Sequence, residues 1–315
     1  MKRELHVAAA VIRDAEGRVL ITQRPPHKHQ GGCWEFPGGK VEAEESVEQA
    51  LRRELEEELG IRVLEAEPLI RIPYEYPEHR VVLDVWQVMR FEGEAHGREG
   101  QPLRWVGSDD LRAYTFPAAN LPIIAAARLP DRYLITPEPG GDASRFLLLL
   151  EQSLRSGIRL VQLRCKTLGE SSYVKLARQA LELCARYRAQ LLLNAAPELL
   201  VEVPAHGVHL SSAQLWSHQT RPVAADQWLA ASCHTERDLH HARAIGVDFA
   251  VVSPVHATAT HPDAAPLGWE SFARLAAQAG MPVYALGGMG LQHLAQAKRC
   301  GAQGIAAISA LWGAH

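Results

Sequence analysis

Residues 38–61 read GGKVEAEESVEQALRRELEEELGI. Ser46 followed by Gln49 is a capping box, Val47, Leu51, Leu55 and Leu59 run down one ridge, and Gly60 stands where a C-cap glycine belongs, so the stretch predicts one amphipathic helix. Each helical residue advances by about 100°, which places Glu54, Glu57 and Glu58 on one face. Three carboxylates so close repel one another unless a cation intervenes. Either their pKa values rise or they hold a hard divalent metal, with magnesium the first candidate and manganese the second. An ordinary solvated acidic helix is the bland alternative for Glu54 to Glu58 taken alone. The wider spacing weighs against it: Gly39, five residues, Glu45, seven residues, Arg53-Glu54-Leu55, then Glu57-Glu58, Gly60 and an aliphatic residue. Even seven of these positions, each met by chance about one time in fifteen, give a random expectation on the order of 10⁻⁶ over all registers.

The rest of the chain bounds what such a helix can serve. With 315 residues, 47% of them apolar, it can bury a large core, and its length suggests about two domains. Lys and Arg number 33 against 36 acids, so a net charge of -3 provides no polycationic surface for a nucleic-acid backbone and favours free nucleotides as partners. The cysteines, Cys33, Cys165, Cys184, Cys233 and Cys300, are scattered, with no CxxC pair and no zinc-ligand spacing to a His, and read as reduced thiols in a cytoplasm. The apolar run at residues 6–12 is too short for a signal segment or a membrane span. The expectation is a soluble cytoplasmic protein that binds neither membrane nor nucleic acid.

Around the helix, Leu5–Ile12, Val19–Gln23 and Val81–Phe91 read as strands, with a hairpin turn at residues 14–17, and an α+β domain is the natural reading. Residues 125–132 look like a helix end and a short linker, which divides the chain into domains at 1–128 and 129–315. Beyond the linker, strand and helix alternate. Short aliphatic runs fall at Tyr133–Thr136, Leu160–Arg164, Leu191–Asn194, Gly207–Leu210, Leu229–Ser232, Phe249–Val255, Val283–Gly287 and Gly304–Ser309. These eight βα units imply a compact closed parallel (βα)8 barrel of the TIM type, with a doubly wound open sheet as the second choice.

Further landmarks lie on both sides of the helix: ITQR at 21–24, EFPGGK at 35–40, GREGQ at 97–101 and FPAAN at 116–120. With them, residues 1 to about 128 resemble the MutT-type Nudix hydrolases, and residues 38–61 match the Nudix box. The resemblance implies magnesium-dependent hydrolysis of 8-oxo-dGTP, an oxidised purine nucleoside triphosphate, to the monophosphate and pyrophosphate, a reaction that cleans the nucleotide pool and prevents mutation. It carries over Glu57, Glu58 and Glu99 as metal ligands, completed by a backbone carbonyl of Gly38 or Gly39. Glu54 becomes either the base that deprotonates the attacking water or a further ligand, oriented by Arg53. Lys40 and Arg24 become phosphate contacts, and Phe36 and Arg24 line the base pocket. Asn120 becomes the base selector. Ordinary guanine accepts at N7 whereas the 8-oxo form carries a hydrogen there, so an amide that donates to O6 and accepts from N7–H tells them apart. A helix N-cap before Leu121 is the structural alternative for Asn120.

RYLIT at 132–136, VQLRCK at 161–166, GVHL at 207–210, SCHT at 232–235, SPVHATATH at 253–261 and ALGGM at 285–289 make the second half resemble thiamine phosphate synthase. The resemblance implies that Gln162, Arg164 and Lys166 grip a diphosphate, that Thr258 and Thr260 bind phosphate, and that Gly287 and Gly288 form a phosphate site at a barrel strand end. The departures are specific. Where the family has Asn-Asp-Arg, this chain has Asn194-Ala195-Ala196; where it has Gly-Gln-x-Asp after GVHL, this chain has Ser211-Ser212-Ala213-Gln214; and the lysine after TxT is His261. The two missing aspartates are the family's magnesium ligands, so the expectation is a degenerate synthase that binds a phosphorylated ligand. The alternatives are a bifunctional thiamine-pathway protein, whose first half hydrolyses a thiamine-related diphosphate while the barrel retains synthase activity, and a purely structural barrel.

Overall fold

The computed structural model describes residues 3–27, 30–257 and 265–313. The chain divides into two compact units, Met1–Arg128 and Leu129–His315. The first holds strands β1 (Arg3–Ile12), β2 (Val19–Gln23), β3 (Trp34–Glu35) and β4 (Gly38–Lys40), helix α1 (Val47–Leu59), strands β5 (Arg62–Glu75), β6 (His79–Glu92) and β7 (Leu103–Val106), and helix α2 (Leu121–Arg128). Two small sheets form, one in the order β4-β1-β6-β5 and one in the order β3-β2-β7.

Helix α1 is built as its sequence predicts. Ser46 and Gln49 cap it reciprocally, and Gly60 closes it in the left-handed conformation at φ 70°, returning its amide to Glu56 and Leu55. Leu51, Leu55 and Leu59 are fully buried against Ala8, Ala10 and Ile12 of β1. The alternate residues Ala9 and Val11 face the other way, into a second cluster with Phe36, Phe116, Ile123 and Ile124. Each fully buried leucine contributes roughly 1.5–3 kcal/mol. The packing fixes the rotation of α1, and with it the direction in which Glu54 and Glu58 point.

Strand β5 was not among the predicted elements, because Pro68 and Pro73 interrupt its pattern. It lies at the sheet edge and pairs only with β6, and register shifts at residues 63–66 and 68–70 accommodate the irregular side.

The second unit is a closed parallel barrel. Its strands are β8 (Arg132–Ile135), β9 (Leu160–Leu163), β10 (Gln190–Leu193), β11 (Gly207–Leu210), β12 (Trp228–Cys233), β13 (Phe249–Val252), β14 (Val283–Ala285) and β15 (Gly304–Ala307), and β15 pairs with β8 to complete the ring. Around it run α3 (Ala143–Arg155), α4 (Glu170–Arg186), α5 (Ser212–Ser217), α6 (Glu236–Ala244), α7 (Gly268–Ala279) and α8 (Leu294–Arg299). All eight predicted runs are strands, although β13 ends at Val252, before the turn at Ser253-Pro254. Leu134, Val161, Leu163, Val208, Leu210 and their counterparts pack outward against the helices. The alternate residues fill the inside, where Tyr133, Phe249, Tyr284 and Trp228 meet edge-on or tilted at 5.5–5.9 Å. All five cysteines are free, and burial pushes the Cys184 and Cys233 thiols up to about 12, which leaves them unreactive.

A polar chain crosses this interior. Gln162 Nε2 donates to the Tyr133 hydroxyl at 3.2 Å, His209 Nδ1 lies 3.1 Å from the same hydroxyl, and His209 Nε2 lies 2.9 Å from Ser232 Oγ. Burial, helped by the charge of Arg164, pushes the His209 imidazole down to about 3, so it stays neutral, one nitrogen donating and the other accepting. Between about pH 6.5 and 3 the unfolded chain takes up a proton that the folded barrel refuses, so stability is lost as pH falls through that window. Urea unfolding at pH 7 and pH 4.5 should therefore show a smaller pH-dependent loss for His209→Gln than for the natural chain. An equal loss in both would remove His209 as a cause of acid sensitivity.

Candidate metal and nucleotide site

Residues 35–40 carry the site of the first unit from one end to the other. Glu35 ends β3, Phe36 turns its ring into the second core cluster, Pro37 accepts a hydrogen bond from the Ala10 amide, and Gly38 and Gly39 pair with Ala9 and Ala8 of β1. A Cβ on Gly39 would stand 2.1 Å from the Glu54 carboxyl carbon, so only glycine lets that carboxylate lie directly on the strand. Beside it, the Gly38 amide donates to Glu58 Oε2 at 3.4 Å.

Arg53 organises the acids around it. Its Nε and Nη2 hold Glu45 at 3.0 and 2.9 Å, its Nη1 holds Glu54 Oε1 at 2.9 Å, and Nη2 also donates to the Lys40 carbonyl at 3.1 Å. The pairing raises the guanidinium above its ordinary value and holds Glu45 below the usual carboxylate range. Glu45 contributes to the sequence spacing without an assigned role; its place is the far side of this bidentate clasp. Glu57 lies outward, its side chain 62% exposed, and reaches Arg53 Nη1 at 3.4 Å, whereas that of Glu54 is 16% exposed.

Glu58 is the perturbed group. Burial pushes its carboxyl up to about 7 against the lowering hydrogen bond from Gly38, and the charges of Glu35, Glu54 and Glu99 push the same way. Glu99 is brought near by a loop bound to the end of α1: the Arg98 amide and Gln101 Nε2 both donate to the Glu58 carbonyl, at 2.9 and 3.0 Å, and Gln101 Oε1 accepts from the Glu99 amide at 2.9 Å. Glu35, Glu54, Glu58 and Glu99 therefore share one field.

Among the described residues no three His, Cys, Asp or Glu side chains already form a metal-holding group. Magnesium asks for less, since one or two carboxylates with water and substrate phosphate complete its octahedron. The donor set fits that demand: hard oxygens only, mutually repelling, partly desolvated, and open on the Glu57 side.

Next to the carboxylates in sequence lies a buried aromatic pair of the second core cluster. Phe36 stacks on Phe116 at 5.4 Å, and Ala119 is buried behind them. Asn120 ends a 3₁₀ turn (Ala118–Asn120) that runs directly into α2, half-buried, and among the described residues its side chain has no hydrogen-bond partner, so the N-cap role is not realised. Arg24 Nε lies 3.1 Å from Glu35 Oε2, and Arg24 also acts on Tyr76, whose hydroxyl bonds Gln30. Lys40 is exposed at the end of β4. Sequence reading gave Glu35 and Tyr76 no role; the place of Glu35 beside Phe36 in EFPGGK was the available signal for the first.

In the barrel, the predicted phosphate residues separate. Gln162 is buried within the polar chain, while Arg164 lies at the strand end, its amide donating to Thr136 Oγ1 at 3.0 Å. Lys166 is exposed on the following loop, and its amide donates to Glu138 at 2.9 Å. Despite an upward push from burial, that bond and those from Thr167 hold Glu138 below the usual carboxylate range. Gly287 and Gly288 follow β14 and lie against the Pro254 and His256 segment, close enough that a Cβ would stand 2.9 and 3.1 Å from it. Thr258, Thr260 and His261 lie outside the described residues. Gln214, at the position of one missing aspartate, spends its side chain on the Ser211 amide and hydroxyl, both at 2.9 Å, and Asn194 Nδ2 donates to the His209 carbonyl at 2.8 Å.

Comparison with known proteins agrees with this division. The NUDIX domain family matches residues 8–126, and the thiamine monophosphate synthase family matches residues 132–311, more than half of the chain. Similar proteins include the 8-oxo-dGTP diphosphatase of Escherichia coli K12, 42% identical over 123 residues that cover 39% of this chain and 95% of that one. The CTP pyrophosphohydrolase of the same organism is 38% identical over 122 residues, covering 39% of this chain and 90% of that one. A putative thiamine-phosphate synthase 2 of Aquifex aeolicus is 34% identical over 181 residues, covering 58% of this chain and 97% of that one. Among the described residues, no helix is long and apolar enough to cross a membrane. The chain thus belongs to the thiamine monophosphate synthase family through its barrel and carries a Nudix domain ahead of it.

Proposed function

We propose that the Nudix domain is a magnesium-dependent diphosphatase of oxidised purine nucleoside triphosphates, with 8-oxo-dGTP as its preferred substrate and the monophosphate and pyrophosphate as products. The observation that carries this reading is the continuity of residues 35–40, which join the buried Phe36–Phe116 stack to carboxylates laid on Gly38 and Gly39. A divalent cation held by Glu58, Glu57 and Glu99, with Glu54 as base or ligand, would neutralise the triphosphate and its nucleoside monophosphate leaving group. The Arg53 bond to Glu54 supports Glu54 as the group that would take the proton of a water attacking the β-phosphorus. Lys40 and Arg24 supply cations for phosphate oxygens.

Asn120 supports the choice of base. A half-buried amide with no internal partner can donate to O6 and accept from N7–H, and facing ordinary guanine it would meet an acceptor with an acceptor. The similarity to a CTP pyrophosphohydrolase supports a pyrimidine triphosphate as the competing substrate. Comparing kcat/KM for 8-oxo-dGTP, dGTP and CTP separates the two, and Asn120→Ala should shrink the preference for 8-oxo-dGTP over dGTP by about 10–100-fold. Equal rates on both guanines in the natural chain would overturn the assignment.

The metal assignment is tested on side chains. Glu58→Gln should lower kcat by about 100-fold or more and Glu57→Gln by at least about 10-fold, with circular dichroism and melting preserved, because each removes a formal charge from the proposed cation site. Near-natural turnover in both variants would overturn it.

For the barrel we propose binding of a phosphorylated ligand without metal. Arg164 and Lys166 keep cations near the strand ends, while Ala195 and Gln214 provide no charge where the family has its aspartates. Calorimetry with pyrophosphate and with thiamine phosphate should detect binding that is unchanged when magnesium is replaced by EDTA. Silence from both ligands would favour a structural barrel, and magnesium-dependent turnover would restore the synthase reading.

A further inference from the structure

Two loops at the strand ends of the barrel meet through one carboxylate. Glu138 follows β8, and the loop after β9 takes up both of its oxygens. The Lys166 amide donates to Oε1 at 2.9 Å and to Oε2 at 3.1 Å, the Thr167 amide donates to Oε2 at 3.3 Å, and the Thr167 hydroxyl donates to the same oxygen at 2.8 Å. The strand ends beneath are tied together, since Thr136 Oγ1 accepts from the Arg164 amide at 3.0 Å. Pro137 and Pro139 flank Glu138 and restrict its backbone to extended geometry, so the carboxylate leaves the loop by rotation of its own side chain. Successive amides and a hydroxyl turned to one point make a concavity suited to a compact oxyanion, and here the chain supplies the anion itself. Lys166 and Thr167 are exposed, so the cradle opens to solvent.

We propose that the amides of Lys166 and Thr167 and the Thr167 hydroxyl form an oxyanion site which Glu138 fills until a phosphate group of the ligand displaces it. This rests on the phosphorylated-ligand reading above. A phosphate group offers the same donors three oxygens and close to twice the charge of a carboxylate, and the exposed Lys166 side chain on the same loop provides a cation for the surplus. Glu138 is tethered, so it competes at a fixed local concentration. The apparent affinity for the ligand is reduced by the fraction of molecules in which the cradle is free, and the carboxylate thereby sets the ligand concentration at which the barrel fills. No covalent bond forms or breaks in the exchange; Glu138 passes from the loop donors to water. The competing role for these bonds is a strap that holds the two loops together and leaves the ligand to other groups.

Pyrophosphate is the probe, titrated into the full chain in EDTA by calorimetry and followed by NMR of isotopically labelled threonine amides. The Thr167 resonance, identified by its loss in Thr167→Val, should move on addition of pyrophosphate, which places the binding in the barrel. Glu138→Gln should tighten binding by roughly 3–10-fold, as expected for a cradle that the carboxylate holds for most of the time. Glu138→Asp keeps the charge but shortens the reach, and should tighten binding by at least about twofold. Tightening in Glu138→Gln without tightening in Glu138→Asp reports only a like charge nearby and overturns the exchange. In the Glu138→Gln background the hydroxyl serves the ligand alone, so adding Thr167→Val should weaken binding by about 3–10-fold and Thr167→Ser in its place should restore it. A strap predicts an unmoved Thr167 resonance and no effect of Thr167→Val in that background, and either result overturns the exchange; melting curves report whether each variant folds. Absence of pyrophosphate binding in the natural chain and in Glu138→Gln alike overturns the phosphorylated-ligand reading and the exchange with it. Binding that none of these variants alters overturns the exchange alone.

Discussion

Like-charge repulsion is the constraint on which the first domain depends. Glu54 and Glu58 are directed onto Gly38 and Gly39 by a helix whose opposite face is fixed by Leu51, Leu55 and Leu59 in the core. Nothing in that hydrophobic packing favours the acids being together. The arrangement is tolerated because Arg53, clasped by Glu45, supplies a fixed positive charge on one flank, and because the surplus falls on Glu58, which burial and its neighbours push up to about 7. A group held so far from its ordinary value is an unfilled electrostatic demand. Hard cations meet that demand at least cost in geometry, since they need few protein ligands.

The barrel resolves its buried polarity differently. Gln162, Tyr133, His209 and Ser232 satisfy one another in a chain of neutral groups, and the imidazole is kept uncharged by the same desolvation that raises Glu58. Desolvation disfavours charge in both places. In the barrel the answer is neutrality and internal pairing; in the Nudix domain the acids remain exposed enough on the Glu57 side to recruit a counter-ion.

Much of this was legible in the sequence because it is local. A capping box, a leucine ridge and a C-cap glycine specify α1 without tertiary help, and the eight aliphatic runs specify a parallel ring because buried strands read as continuous apolar segments. Strand β5 was not legible, since its prolines are acceptable only at a sheet edge, and edge position is a tertiary fact. The short strands β3 and β4 were legible only as part of a motif. At the site, spacing identified Glu54, Glu57 and Glu58, but it could not tell that Glu57 would lie outward or that Glu45 would clasp Arg53. Glu35 had a local signal in EFPGGK, but its ion pair with Arg24 did not, because the two are near each other only after β2 and β3 pair.

The barrel mouth carries uncharged Ala195 and Gln214 at the two positions where the metal-ligating aspartates of the family are expected. Gln214 fills the position of an acidic ligand but turns its amide to Ser211, capping α5, so the position now contributes to helix stability and not to charge. Donors stand on the loop after β9. The amides of Lys166 and Thr167 and the Thr167 hydroxyl all converge on the Glu138 carboxylate, an anion held by three donors with Arg164 close enough to act on it. Donors that hold a carboxylate in this way suit any compact oxyanion. With no charge at Ala195 and Gln214 and these donors present, the ligand proposed for the mouth is a bare anion and not a metal-bound diphosphate, the reverse of the demand proposed at Glu58.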